Sequence, residues 1–328
     1  ANMQAHNDHP ANAPAYLTLL ENGMLAERAS AAWRQMNDCD LCARYCHINR
    51  MQNRKGAVCR TGEHAVVHSF GPHHGEEDPL RGSSGSGTIF FSWCNLRCNY
   101  CQNWDISHKG TGRETGLDEL AEMMLNLQRQ GCHNINLVSP SHVIAQIISA
   151  VEIAARKGLH LPLVYNTGGY DSPEALALLD GIIDIYMPDM KYGDSSIARR
   201  HSRVRNYVEI NQKAVKEMYR QVGDLVLDEH GIAQRGLLIR HLVLPENIAG
   251  TEQVLAFIAR EISTSTYLNL MEQYHPCYRA WENPPLDRPL WAGEFEAAMA
   301  TAAKHDLHRL DRRLSHRYPA ESSQHLNE

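Results

Sequence analysis

Residues 88–101, TIFFSWCNLRCNYC, decide how this chain is read. An apolar, β-prone run (88–93) leads with no turn signal into Cys94, Cys98 and Cys101, a C-x3-C-x2-C spacing. Five more short apolar runs follow: NINLVS (134–139), LPLVYN (161–166), IIDIYM (182–187), LLIRHLVL (237–244) and TYLNLM (266–271). Amphipathic segments at 117–130, 142–157, 173–179, 197–221 and 251–261 separate them and predict helices. Ser172-Pro173 is a helix start, an N-cap residue followed by proline at the first helical position, and Gly131 and Gly158 fall at expected helix ends. Six strands alternating with helices predict an α/β fold, a partial parallel (β/α)6 barrel. Residues 226–236 read as a small hairpin before the fifth strand. In such folds reactive residues gather at the C-terminal ends of the strands, where the three cysteines lie.

Working outward, the nine cysteines stand at 39, 42, 46, 59, 94, 98, 101, 132 and 277. An odd count in a chain of 328 residues, opening without the basic and apolar regions of an export signal, argues against a disulfide framework. Clustered thiols in a reducing compartment hold metal, so a cytoplasmic metalloprotein is expected. No apolar run approaches the roughly 18 residues of a membrane span, and mean hydropathy is −0.43, so no membrane is expected. A net charge of −6 and a pI near 6.3 give no general basic field for nucleic acid.

Ahead of the barrel, residues 15–36 show helical spacing. Cys39, Cys42, Cys46 and Cys59 then form C-x2-C-x3-C-x12-C, a set that suits a structural Zn²⁺ or a second [4Fe–4S] cluster. Only one C-x2-C knuckle is present where a zinc ribbon has two, so the cluster is the preferred reading. GPHHGEEDPLRGSSGSG (71–87) reads as a loop or linker, in which His73, His74, Glu76 and Glu77 are either solvated or turned to substrate or partner. The division expected is a helix, a Cys-rich metal-binding module and a linker over 1–87, the barrel over 88–305, and a polar tail over 306–328. Cys132 reads as a packing residue, while Cys277 is placed near the barrel mouth.

Three thiolates can ligate three irons of a [4Fe–4S] cube and leave the fourth iron open. With an aromatic residue just before the last cysteine, the motif resembles the radical S-adenosylmethionine (SAM) superfamily. NLVSPSH, YNTGGYD, YMPDMKY, RHLVLP and NLMEQYHP, in that order, resemble the branch of pyruvate formate-lyase activating enzyme-like proteins, here with an N-terminal Cys-rich extension. The resemblance implies that the open iron is chelated by SAM. It also implies reductive cleavage to a 5′-deoxyadenosyl radical that takes hydrogen from a substrate. It places Tyr100 near the adenine, and Asp189 and Lys191 of PDMK, Asn166 of YNTGGY and His275 of QYHP around SAM. Where activating enzymes carry Gly-Gly-Glu this chain has Ser139-Pro140-Ser141-His142, so Ser139 and Ser141 stand in for an acidic amine contact. Each also has a structural reading: the serines as helix caps, Asp189 and Lys191 as an ion pair, His275 as a loop histidine. Trp104 either packs or lines the site.

The function expected is a radical SAM enzyme acting on an unidentified small molecule or protein, served by a low-potential electron donor of flavodoxin or ferredoxin type. Two alternatives are an activating enzyme for a glycyl radical enzyme and a non-catalytic iron–sulfur electron-transfer protein.

Overall fold

All six apolar runs form strands, and they pair in the order in which the chain makes them. In the computed structural model, which describes residues 13–311, nine strands build one sheet. They are β1 (Ala65–His73), β2 (Ser86–Phe91), β3 (Arg113–Thr115), β4 (Ile135–Val138), β5 (Leu163–Thr167), β6 (Ile185–Pro188), β7 (Val226–Leu227), β8 (Ala233–Leu242) and β9 (Tyr267–Met271). β2, β4, β5, β6, β8 and β9 are parallel neighbours in that sequence, while β1, β3 and β7 add antiparallel pairings. β2 and β9 end the parallel array without pairing to each other, which makes it a partial barrel.

Side-chain alternation sorts the two faces. Ile89, Leu137, Tyr165, Tyr186 and Leu237 lie in one register row and pack outward with the helices. Val164, Ile185, Met187 and Leu238 face inward and pack with Leu80. Both faces are covered, which is why these strands read as unbroken apolar runs. The helix at Pro173–Leu179 starts as expected: Ser172 Oγ accepts the Ala175 N–H at 3.2 Å. The hairpin before the fifth parallel strand is also present, as β7 against β8.

Four expectations change. The helix expected over 197–221 is two, Ser195–Ser202 and Tyr207–Val222, because Arg203 and Asn206 take left-handed backbone between them. That expected over 15–36 also breaks into Ala15–Glu21 and Met24–Gln35, at Gly23 with φ +79°. These N-terminal helices share one apolar core with the barrel helices. Within the expected 71–87 linker, β1 runs to His73 and pairs with β2, and a helical turn at Asp78–Arg81 follows. Its carboxylates Glu76 and Glu77 are buried. Of the expected polar tail, residues 306–311 pack beside β9: Leu268 N–H donates to the Arg309 carbonyl, Asp311 N–H to the Leu268 carbonyl, and Asp311 is buried. Residues 312–328 lie outside the described residues.

Candidate active site

The strand ends are drawn together by a ladder that outlasts the strands. Ser139 N–H donates to the Asn166 carbonyl (2.9 Å), Asp189 N–H to the Thr167 carbonyl (2.9 Å) and Met190 N–H to the Arg240 carbonyl (2.8 Å). The residues after β4, β5 and β6 therefore stand side by side at one rim. Between that rim and the loop after β2 is a cavity of about 340 Å³. Cys94, Cys98 and Cys101 line it, together with Ser139, Asn166, Asp189 and Lys191. A Cβ at Gly168 would strike Leu96, and one at Gly169 (φ +75°) the Asp189 carbonyl, so both glycines let loops approach closely.

Each cysteine sulfur has a polar neighbour. The Leu96 N–H points at Cys94 Sγ (3.4 Å), Ser202 Oγ lies 2.9 Å from Cys98 Sγ and Ser107 Oγ 3.1 Å from Cys101 Sγ. Hydrogen bonds to sulfur and limited solvent are what tune a thiolate-held cluster. Burial raises the Cys94 thiol, opposed by the Leu96 N–H and by the nearby Lys191 and Arg97 cations, and burial pushes Cys101 up to about 12. His108, on the wall, has a buried Nε2 with no protein partner. Burial, with Arg97 nearby, pushes it down to about 4. Among the described residues no three His, Cys, Asp or Glu side chains close on a point the size of one metal ion. A cube has no such need, since it takes each thiolate on a different iron. The donor set fits a three-thiolate cluster with one open iron.

Lys191 Nζ donates to Asp189 Oδ2 at 2.6 Å. Burial works against the lysine charge, but Asp189, joined by Cys98 and Tyr207, holds Lys191 well above its usual range. Asn166 faces the cavity from the end of β5. Ser139 lines it with φ +59°. Ser141 is one layer back, its Oγ donating to buried Asp171 at 2.7 Å. The Tyr100 ring does not line the cavity. It is buried in an aromatic cluster, its hydroxyl 2.6 Å from that of Tyr192 and its ring edge-on to Tyr274. His275 is exposed on the loop after β9, Nδ1 3.3 Å from the Gln273 carbonyl, and does not line the cavity either. Trp104 packs on Tyr278, ring centroids 5.3 Å apart, and Cys277 Sγ reaches the Tyr100 carbonyl at 3.4 Å.

The deeper wall was not legible beforehand. Arg240 of β8 donates from Nε and Nη2 to the two Glu77 oxygens, each 2.7 Å, and Nη2 also meets Glu76. Asn269 of β9 donates to Glu77 at 2.6 Å. Glu76, His73 and Arg240 line the cavity, so the 74–77 segment joins β1 to β8 and β9 across its floor.

The segment that carries the N-terminal cysteines lies against the same cluster loop. Cys39, Cys42 and Cys59 are buried and Cys46 half-buried. Arg44 Nε donates to the Asn95 carbonyl at 2.6 Å, and Arg97 donates to the Val58 carbonyl.

The model of the radical SAM superfamily matches residues 88–258. An uncharacterized protein of Methanocaldococcus jannaschii is 30% identical over 299 residues, 89% of this chain and 82% of that one. Among solved structures, a radical SAM methyltransferase from Sphaerobacter thermophilus aligns with TM-score 0.43 and 13% identity, over 66% of this chain and 63% of its own length. TYW1 with a lysine-pyruvate adduct bound aligns with TM-score 0.40 and 10% identity, over 66% and 73%. The family match covers more than half of the chain, which therefore belongs to the radical SAM superfamily and is an enzyme that uses a [4Fe–4S] cluster and SAM.

Proposed function

We propose that Cys94, Cys98 and Cys101 hold the cluster and that SAM lies across Ser139, Asn166, Asp189 and Lys191. Hydrogen abstraction from an organic substrate then takes place in the space bounded by His73, Glu76 and Arg240. The observation that supports this is the single cavity shared by the three cysteines and these polar groups. The cluster and SAM, when bound, supply one-electron cleavage of the sulfonium bond and a SAM-derived radical. The chain's own part is positioning. Lys191, kept cationic by Asp189, suits the methionyl carboxylate. Ser139 and Asn166 offer hydroxyl and amide partners, and Tyr100 offers its backbone rather than its buried ring. His275 is left out of this pocket because it lies away from the wall.

In this reading the chain falls in the pyruvate formate-lyase activating enzyme-like branch with a Cys-rich extension. Cys39, Cys42, Cys46 and Cys59 bind a second [4Fe–4S] cluster, with Zn²⁺ as the alternative metal. A flavodoxin- or ferredoxin-type donor reduces the enzyme. The substrate is a small molecule or a protein side chain rather than the glycine of a glycyl radical partner. Anaerobic reduction with SAM present is the test: methionine and 5′-deoxyadenosine should form, and a deuterated substrate should pass its label to 5′-deoxyadenosine. Cys98→Ala should abolish cleavage, because two thiolates are too few to hold the cube. Full cleavage by Cys98→Ala would sink the assignment.

A further inference from the structure

Arg50 is 2% exposed and carries a permanent charge. Its Nε donates to the Thr61 carbonyl (2.8 Å), Nη2 to the His142 carbonyl (2.7 Å) and Nη1 to Cys39 Sγ (3.4 Å). Each guanidinium nitrogen has a partner, but none is a carboxylate. Burial works against its charge, and the neighbouring groups that favour it are the sulfurs of Cys59, Cys39 and Cys42. A buried cation without a counter-charge is strongly destabilising. A thiol supplies no charge, whereas a metal-bound thiolate does. The same guanidinium holds the loop that follows β4. His142 lies inside the Pro140–Val143 turn, which Val143 N–H closes on the Pro140 carbonyl (2.9 Å); Ser139, just before it, lines the cavity, and His142 Nε2 lies 2.9 Å from the carbonyl of Ser92, two residues before Cys94.

We propose that Arg50 couples two metal centres: thiolates of a filled N-terminal centre supply its counter-charge, and Arg50 so anchored fixes the Ser139–His142 segment against the cavity, making SAM affinity depend on N-terminal occupancy. This rests on the reading of Cys39, Cys42, Cys46 and Cys59 as a second [4Fe–4S] site. Arg50 acts as a positioning residue, since it does not line the cavity.

The test uses the full chain, reconstituted anaerobically with iron and sulfide and, separately, with zinc added. Metal analysis comes first. A wild-type protein carrying one cube and no further metal would overturn the second site and this inference together. With the second metal present, a Cys42→Ser/Cys46→Ser variant reduced to one cube should keep the catalytic cluster's spectrum. It should bind labelled SAM about 10-fold more weakly in equilibrium dialysis, within the usual range of coupling between sites. Arg50→Met in the filled protein should weaken SAM to a similar degree, and reports on the link even where the cysteine variant does not fold. Thermal midpoints supply a readout that simple packing would not produce. Arg50→Met should lower the midpoint of the filled protein but raise that of the variant with the emptied centre, where the cation has lost its counter-charge. Unchanged SAM affinity in Arg50→Met, or an equal loss of midpoint in both backgrounds, would overturn the coupling while leaving the metal site standing.

Discussion

Replacing Arg240 by methionine probes the cavity floor through stability rather than turnover. The Arg240 side chain is 17% exposed, that of Glu76 7% and that of Glu77 0%. Glu77 receives two charge-assisted bonds from Arg240 and one from Asn269, so losing the arginine takes both charge-assisted bonds from a fully buried carboxylate. Glu76 loses its cation as well, and burial already raises its pKa against the pull of Arg240. Removing one partner of a buried ion pair costs about 3–5 kcal/mol, because the remaining charge stays desolvated. Methionine fills much of the arginine's volume, so the cavity contribution is small and the cost is electrostatic. Adding Glu77→Gln removes the stranded charge and should recover about half of the loss. The assay is urea unfolding of the cluster-loaded protein at pH 7, followed by far-UV circular dichroism, on the parent, Arg240→Met and Arg240→Met/Glu77→Gln. A cost below about 1 kcal/mol, the size of an exposed pair, would refute the buried-floor reasoning, as would a double variant no more stable than the single one.

Two further outcomes are expected. Lys191→Ala should weaken SAM binding about 10-fold or more, one charge-assisted hydrogen bond being worth about 1.5–3 kcal/mol, while His275→Ala leaves it within about 2-fold; the reverse pattern in equilibrium dialysis would displace the pocket toward the loop after β9. Stability should also respond to acid through His142 and His241, which are buried and whose pKa values burial lowers to about 3 and about 4. A base with a depressed folded-state pKa contributes fully above its unfolded value near 6.5 and loses that contribution as pH falls toward 4, at about 1.4 kcal/mol per pH unit per histidine. Asp184, pushed up to about 7 by burial despite N–H bonds from Ala15 and Leu163, works in the opposite direction over the same window. The measurement is therefore the difference in slope between parent and His241→Gln, and identical slopes would refute it.

What the chain announced by itself was local. Six parallel strands were legible because both faces of each are covered, which turns a strand into an apolar run. The three cysteines were legible because the thiolates of one cube come from eight consecutive residues. Asp189 and Lys191, two apart at a strand end, could be placed at the rim for the same reason. What escaped was long-range. β1 was read partly as linker because its burial fails after Val67, leaving a stretch rich in His, Ser, Gly and Pro with no period to detect. Arg240 meets Glu76 and Glu77 across more than 160 residues of chain, and Arg50 meets the His142 carbonyl across 92. No spacing rule links such partners. Tyr100 and His275 mark the other limit: a motif names a position in the chain, but whether the ring faces a cavity, a neighbouring tyrosine or solvent depends on packing that only the tertiary structure decides.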